Sequence, residues 1–220
     1  MKKTLDIEGK VLLFDFDGTL VETEVLAREI IHRYFEERGF EGADAFAALI
    51  VGRTWRLAVD LMIREARARG FELGEPDVLV GEFTQRYRVR FREGVRLIPG
   101  FRELVEDFRK KARFMGIVTG SHRHEVEEIL AVHGLGGFFD RIWGFGDYPE
   151  SKPHPAPYLT ALGDQGFVPG EVIVFEDSKA GMESAHAAGL RWVQICHEAH
   201  AGEPDPRSLL VLPDWRHLKI

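Results

Sequence analysis

Short apolar runs alternate along the chain with segments in which apolar residues recur at helical spacing. The runs lack polar alternation, which is typical of strands buried on both faces of a parallel sheet. Four such strands are predicted, at 11–16, 114–119, 172–177 and 192–196. Helices are predicted between them, at 99–112, 121–135 and 178–190, the last two starting at the capping residues Ser121 and Ser178. This order predicts an α/β fold with a doubly wound, Rossmann-like parallel sheet.

One long segment interrupts the alternation of strands and helices. Residues 21–95 contain no convincing strand, and their pattern predicts four helical stretches, at 22–38, 43–50, 54–69 and 76–92. We therefore predict an all-helical cap domain over 21–95, inserted in a catalytic α/β core that consists of 1–20 and 96–220.

Composition argues against a nucleic-acid-binding or membrane-spanning protein. The 220 residues include 29 Lys and Arg against 36 Asp and Glu, a formal charge of −7 that argues against nucleic acid or an anionic membrane as the main partner. No window approaches the roughly 18 apolar residues that cross a bilayer. The single cysteine, Cys196, cannot form an intrachain disulfide and fits a reducing compartment. We expect a soluble cytoplasmic protein, a monomer or a weak homodimer.

Polar residues follow several of the predicted strands and helices. Asp15 and Asp17 come at the end of the first strand, Thr119 and Gly120 at the end of the second, and Lys152 precedes a prolyl turn. A third strand ends in Glu176 and Asp177. Ligands of open α/β sheets bind at the carboxyl ends of strands, so these groups are expected to converge.

Converging carboxylates repel one another and predict a divalent cation, and an oxygen-rich set with few protein ligands suits Mg²⁺. A lysine and loop donors beside them suit the movement of a phosphoryl group. Taken alone, the Asp15 and Asp17 pair is also compatible with two solvated aspartates in a strand-to-loop turn.

Four sequence motifs carry a family resemblance. "DFDGTL", the hydroxyl residue Thr119, the Lys-Pro of "SKPHP" and "FEDSKAGMESAHAAG" resemble, in order, the motifs of the haloacid dehalogenase superfamily from about residue 10 to 196. The helical insert between the first two motifs is similar to that of the subfamily with a small helical cap, which includes phosphoglycolate phosphatases and β-phosphoglucomutase.

The resemblance implies a role for each catalytic residue. Asp15 would be the nucleophile that forms an aspartyl-phosphate, and Asp17 the acid that protonates the leaving alcohol and then the base that activates water. Thr119 and the Gly120 amide would hold the phosphoryl oxygens, while Lys152 would neutralise Asp15 and the transferring group.

The resemblance also implies a metal site and a substrate loop. Mg²⁺ would be bound by Asp15, Asp177 and the backbone carbonyl of Asp17, with Glu176 acting directly or through water. The loop that begins "VGRTWR" resembles one that approaches the active site in capped relatives, where Gly52 would admit a ligand and Arg53, Trp55 or Arg56 would contact it. The alternative is that Trp55 packs in the cap core and Arg56 faces solvent.

The leading hypothesis is a Mg²⁺-dependent phosphatase for a small phosphorylated metabolite, of the phosphoglycolate or sugar phosphate type. A β-phosphoglucomutase-like phosphomutase is the alternative that uses the same motifs. Val51 is a poor match to the basic cap loop of such mutases, which favours hydrolysis. A non-catalytic phosphate-binding protein is a third class, but it predicts the loss of Asp15 or Asp17, and both are present.

Overall fold

The computed structural model describes residues 2–50, 54–197 and 203–220. The chain divides into two compact units, one formed by Met1–Glu22 with Arg96–Ile220 and the other by Thr23–Val95. Val21 bridges Leu97, and the Glu22 amide donates to the Arg96 carbonyl at 2.8 Å, so the first unit holds both ends of the inserted segment.

The first unit is built on parallel strands. In chain order they are β1 (Lys3–Thr4), β2 (Val11–Phe14), β3 (Phe114–Val118), β4 (Arg141–Trp143), β5 (Val172–Glu176), β6 (Arg191–Ile195), β7 (Leu210–Leu212) and β8 (Leu218–Lys219). Six of them form one sheet in the order β4-β3-β2-β5-β6-β7, and β1 pairs with β8. The predicted parallel sheet is confirmed.

The four predicted strands are present as β2, β3, β5 and β6, and each ends one or two residues earlier than predicted. Polar residues beyond those ends leave the sheet and enter loops. The strands β1, β4, β7 and β8 were not predicted, because each has only two or three residues and too short an apolar run to be recognised.

In its described residues this unit also contains four α-helices: α5 (Phe101–Lys111), α6 (Arg123–Val132), α7 (Ala156–Gln165) and α8 (Lys179–Ala187). The pattern predicted three of them and missed α7, because prolines at its start were interpreted as a turn. Proline is tolerated in the first helical turn, where the amide it lacks has no intrahelical partner.

The two faces of the central strand β2 are buried in different surroundings. Val11 and Leu13 belong to an apolar cluster that includes residues of α7 and α8. On the other side, Phe14 stacks on Phe175 with ring centroids 4.8 Å apart and meets Phe108 of α5 edge to face. Burial on both faces explains the apolar run that predicted this strand.

The second unit contains, in its described part, only helical elements. They are α1 (Thr23–Glu36), α2 (Ala43–Ala47) with a following 3₁₀ turn (Ala48–Ile50), α3 (Trp55–Ala68) and α4 (Pro76–Gly94). Phe35 and Phe46 stack at 3.9 Å within its core, and Thr54 caps α3 by accepting from the Leu57 amide. The predicted all-helical insert is therefore present.

Candidate active site

Three neighbouring strands end at one edge of the sheet. β2 lies between β3 and β5 in register, with Phe14 opposite Ile117 and Phe175. The residues that follow these strands are Asp15, Thr119 and Asp177. After β2 the chain turns at Gly18, whose φ of 82° is a conformation that favours glycine.

Lys152 binds the first of these carboxylates. Its Nζ donates to Asp15 Oδ1 at 2.7 Å, to Glu176 Oε1 at 2.5 Å and to the Val118 carbonyl at 2.9 Å. An ammonium has three protons, so these acceptors use all of them. Lys152 is therefore a fixed charge beside Asp15, and among the described residues no hydrogen-bond donor reaches Asp15 Oδ2.

Glu176 is fully buried and both of its oxygens accept hydrogen bonds. Oε1 accepts from Lys152 and from the Tyr158 hydroxyl at 2.9 Å. Oε2 accepts from the Asp177 amide at 3.2 Å and from the amide and hydroxyl of Ser178. Two carboxylate oxygens offer about four lone-pair positions, which these donors occupy. Glu176 is therefore better placed to orient Lys152 than to bind a cation directly.

A glycine of α8 makes room for the Glu176 carboxylate. A Cβ placed on Gly181 would lie 1.8 Å from Glu176 Oε1 and 2.0 Å from Cδ. The Gly181 amide also donates to the side chain of Ser178, which is the N-cap of α8 as the sequence predicted. The start of this helix thus packs directly on the site.

Asp17 accepts hydrogen bonds from two hydroxyls of the segment that follows β3. Its Oδ2 accepts from the hydroxyls of Thr119 at 3.2 Å and Ser121 at 2.6 Å. The prediction that Ser121 caps α6 is wrong: His122 is the N-cap, and the Ser121 hydroxyl is used by Asp17 instead. Oδ1 of Asp17 has no hydrogen-bond partner among the described residues.

The segment after β3 presents an unpaired backbone donor. The Tyr148 hydroxyl donates to the Thr119 carbonyl at 2.7 Å. The carbonyl and the following amide of a trans peptide point in opposite directions, so this bond also orients the Gly120 N–H. Gly120 is exposed, and in the described part of the chain its amide has no acceptor. It is available to an anionic ligand.

Two tyrosines of the site were not found from the sequence. Tyr148 and Tyr158 lie in the segment around "SKPHP", outside the residues that carry the family motifs. What marks these tyrosines as part of the site is that their hydroxyls are buried, and burial of a side chain cannot be seen in a single sequence. Both are buried in the structure, and both donate their hydroxyl hydrogen to the site.

Burial and crowding of carboxyls shift the ionisation of the site. Burial raises the pKa of Asp15 to about 8, and the neighbouring Lys152 ammonium opposes the shift only in part. The pKa of Asp177 is also raised well above its usual range, by burial and by repulsion from Asp15 and Glu176. Burial disfavours the Lys152 ammonium, but attraction to Asp15 and Glu176 outweighs it, so its pKa is well above the usual value.

This set of groups fits a divalent cation. Oxygens of Asp15, Glu176 and Asp177 lie within 4.8 Å of one another, and all three residues are buried. When all three carboxyls are ionised, they share one ammonium and leave an excess of two negative charges, which a divalent cation would neutralise. Hard oxygen donors of this kind are the ligands of Mg²⁺. Thr19 donates to Asp177 Oδ1 at 2.9 Å and so orients one of them.

The predicted residues of the helical insert are only partly described. Gly52 and Arg53, like Val51, lie outside the described residues. Trp55 stacks on Phe83 with centroids 5.6 Å apart, and Arg56 pairs with Asp60 and Asp77. These contacts favour the alternative in which Trp55 packs within the insert and Arg56 belongs to its surface.

Comparison with known proteins agrees with this geometry. A model of the haloacid dehalogenase-like hydrolases matches residues 12–195. The chain belongs to this family.

Two curated relatives and one solved structure of the haloacid dehalogenase-like hydrolases illustrate the similarity. The protein CbbY of Rhodobacter capsulatus is 32% identical, with 96% of this chain and 93% of that protein aligned. A phosphoglycolate phosphatase of Haemophilus influenzae is 28% identical over 96% of this chain and 95% of that protein. The crystal structure of CbbY from Rhodobacter sphaeroides, in complex with phosphate, shares the fold with a TM-score of 0.70, 23% identity and 94% coverage of each chain.

The predicted enzyme class is confirmed at the level of the haloacid dehalogenase-like hydrolase family. In the ranges that the structure describes, no helix is long and apolar enough to cross a membrane.

We expect the cation-free protein to lose stability as pH rises and Mg²⁺ to remove that loss. The pKa of Asp15 is higher in the folded protein, about 8, than in the unfolded chain, so folding favours its protonated form. That contribution is complete below about pH 4 and is lost as pH rises through about 8. Unfolding temperatures between pH 5 and 9, with EDTA and with Mg²⁺, measure it. Equal pH slopes in both conditions would contradict a cation site at these carboxyls.

Proposed function

We propose that this hydrolase is a Mg²⁺-dependent phosphatase of small phosphomonoesters, of the phosphoglycolate or sugar phosphate type. The observation that carries the proposal is that Asp15 is bound by the fixed Lys152 ammonium and belongs to a buried cluster of three carboxylates. The similarity to a phosphoglycolate phosphatase supports the substrate class. The Gly120 amide and the Thr119 hydroxyl are the donors for phosphoryl oxygens.

The first step is the transfer of the phosphoryl group to the protein. Lys152 occupies Asp15 Oδ1, so Oδ2 attacks phosphorus and forms the new O–P bond. The bond from phosphorus to the substrate oxygen breaks, and Asp17 gives its proton to the departing alkoxide from Oδ1. The Ser121 hydroxyl holds Oδ2 of Asp17 and so keeps Oδ1 toward the leaving group. The Thr119 hydroxyl has one proton, so it turns from Asp17 to the phosphoryl oxygen when substrate is bound.

The second step regenerates the protein. Asp17, now ionised, takes a proton from a water molecule whose oxygen attacks phosphorus. The bond from phosphorus to Asp15 breaks, and inorganic phosphate leaves. Asp15 and Asp177, with the backbone carbonyl of Asp17, would hold Mg²⁺, which supplies neutralisation of the phosphoryl oxygens. The Lys152 ammonium pairs with both Asp15 and Glu176, so it neutralises part of the negative charge of the carboxylates.

A panel of phosphomonoesters with Mg²⁺ tests the proposal. Release of inorganic phosphate from 2-phosphoglycolate or from sugar phosphates is the expected result, and EDTA should abolish it. Interconversion of glucose 1-phosphate and glucose 6-phosphate without release of phosphate would contradict hydrolysis and favour the phosphomutase alternative. Binding of phosphate without turnover of any kind would favour the non-catalytic class.

The replacement Asp17→Asn should slow turnover by about 10²–10⁴-fold, the usual contribution of a general acid and base. The loss should be greater for an alkyl phosphate than for p-nitrophenyl phosphate, because nitrophenolate leaves without a proton. Steady-state rates on both substrates measure the difference. Ser121→Ala, which keeps the carboxyl and removes one of its donors, is the matched variant and should lose less. The same loss on both substrates would argue against Asp17 as the acid.

A further inference from the structure

Tyr158 is a fully buried residue of α7 whose hydroxyl reaches the active site. The hydroxyl donates to Glu176 Oε1 at 2.9 Å, and none of the residue is exposed. Its ring belongs to an apolar cluster that also contains Ala161 and Leu162 of the same helix. A phenylalanine ring would fill the same apolar space, so packing does not explain why this residue carries a hydroxyl.

The oxygen that accepts from Tyr158 is shared with the active-site lysine. Lys152 Nζ donates to the same Glu176 Oε1 at 2.5 Å and to Asp15 Oδ1 at 2.7 Å. The face of the Tyr158 ring also lies near this ammonium, with 5.1 Å from Nζ to the ring centroid. At that distance the ring attracts the cation. Tyr158 therefore contacts both partners of the ion pair that sets the position of Lys152.

We infer that Tyr158 is a positioning residue that holds Lys152 against Asp15 through Glu176. With the hydroxyl in place, Glu176 Oε1 divides its acceptor capacity between two donors. Without it, the ammonium of Lys152 is the one donor left to that oxygen among the described residues, and it is drawn toward Glu176, away from Asp15. The positive charge would then neutralise Asp15 and the phosphoryl group less well. This role rests on the proposed phosphatase function.

The effect should fall on the rate and not on substrate binding. The Tyr158 hydroxyl donates to Glu176 and not to Thr119 or Gly120, which are the proposed donors to the substrate. For Tyr158→Phe we expect kcat on p-nitrophenyl phosphate with Mg²⁺ to fall about 10-fold, the order of one hydrogen bond to a charged group, and KM to change less than about twofold.

A second tyrosine provides the matched control. Tyr34 of α1 is buried in the helical insert, and its hydroxyl has no hydrogen-bond partner among the described residues. Tyr34→Phe removes the same atom and should leave kcat and KM unchanged. If Tyr158→Phe is as active as Tyr34→Phe, the inference is wrong.

Binding of orthovanadate separates an action through Lys152 from a general effect on the fold. Calorimetric titration with Mg²⁺ should show that Tyr158→Phe weakens vanadate affinity about 10-fold when Lys152 is present. In a Lys152→Met background the same replacement should cause no further loss. Equal losses in both backgrounds would overturn the inference. A wild-type protein that binds vanadate but hydrolyses no phosphomonoester contradicts the proposed function alone, and the titrations still decide the role of Tyr158.

Discussion

Asp15→Asn is expected to reduce phosphomonoester turnover by at least about 10⁴-fold, the scale seen when a nucleophile is removed. An amide cannot form the aspartyl-phosphate. The remaining groups of the site can still bind the substrate, but no nucleophile is left to attack its phosphorus. The unfolding temperature of the cation-free protein should rise, because the replacement removes one of three buried carboxyls that share one ammonium and repel one another. Steady-state rates and thermal unfolding in EDTA measure the two effects.

The matched control for this variant is Asp107→Asn. Asp107 pairs with Lys110 on the exposed surface of α5, so its replacement changes the formal charge equally without touching the site. Turnover and unfolding temperature should stay close to those of the wild type, as is usual for an exposed ion pair. Full activity of Asp15→Asn would remove Asp15 from the mechanism. A lower unfolding temperature in EDTA would show that the carboxyls do not repel one another as the structure implies.

Gly181→Ala is expected to damage both stability and catalysis. The new methyl group would lie 1.8 Å from Glu176 Oε1, so the carboxylate must move. Glu176 is fully buried and held by Lys152, Tyr158 and the start of α8, which makes that movement costly. Breaking a buried ion pair costs about 3–5 kcal/mol. We expect a loss of this order in the free energy of unfolding, with at least about a 100-fold fall in kcat as Lys152 leaves Asp15.

Gly163→Ala is the control for a change of glycine to alanine inside a helix. Gly163 lies in α7, is exposed, and has no atom within 4 Å of the position a Cβ would take. Alanine should stabilise that helix by about 0.5–1 kcal/mol and leave turnover unchanged. Urea unfolding measures the free energy of unfolding of both variants, and steady-state kinetics measure their turnover. A Gly181→Ala protein as stable and active as Gly163→Ala would show that Glu176 is not held where the structure places it.

Much of the framework of the site could be predicted from the sequence. Strands buried on both faces of a sheet require continuous apolar runs, so β2, β3, β5 and β6 are visible without coordinates. Helix periodicity and the lack of strand patterns over 21–95 predict the helical insert. The resemblance to the family motifs selects Asp15, Asp17, Thr119, Lys152 and Asp177. All of these except Lys152 follow strands that end at one edge of the parallel sheet.

The residues that orient these groups could not be predicted in the same way. Tyr158 and Gly181 are separated along the chain from Lys152, and nothing in the local pattern connects them to Glu176. Ser121 was assigned to a helix cap because a serine before a helix usually has that role, and its contact with Asp17 overrides the local preference. Such contacts depend on how α7 and α8 pack against the sheet.

The sequence by itself determined the class of fold and the alternation of the four longer strands with helices, since these follow from hydrophobic periodicity. It also supplied the residue types on which the proposed phosphoryl transfer rests. The tertiary structure alone decided how charge is distributed among the carboxylates. Glu176 and Asp177 are neighbours in the sequence, and both belong to the buried carboxylate cluster. Glu176 accepts from a lysine, a tyrosine and the start of α8, whereas Asp177 accepts from Thr19. Burial and hydrogen-bond donors from distant segments create that difference, and no local pattern encodes them.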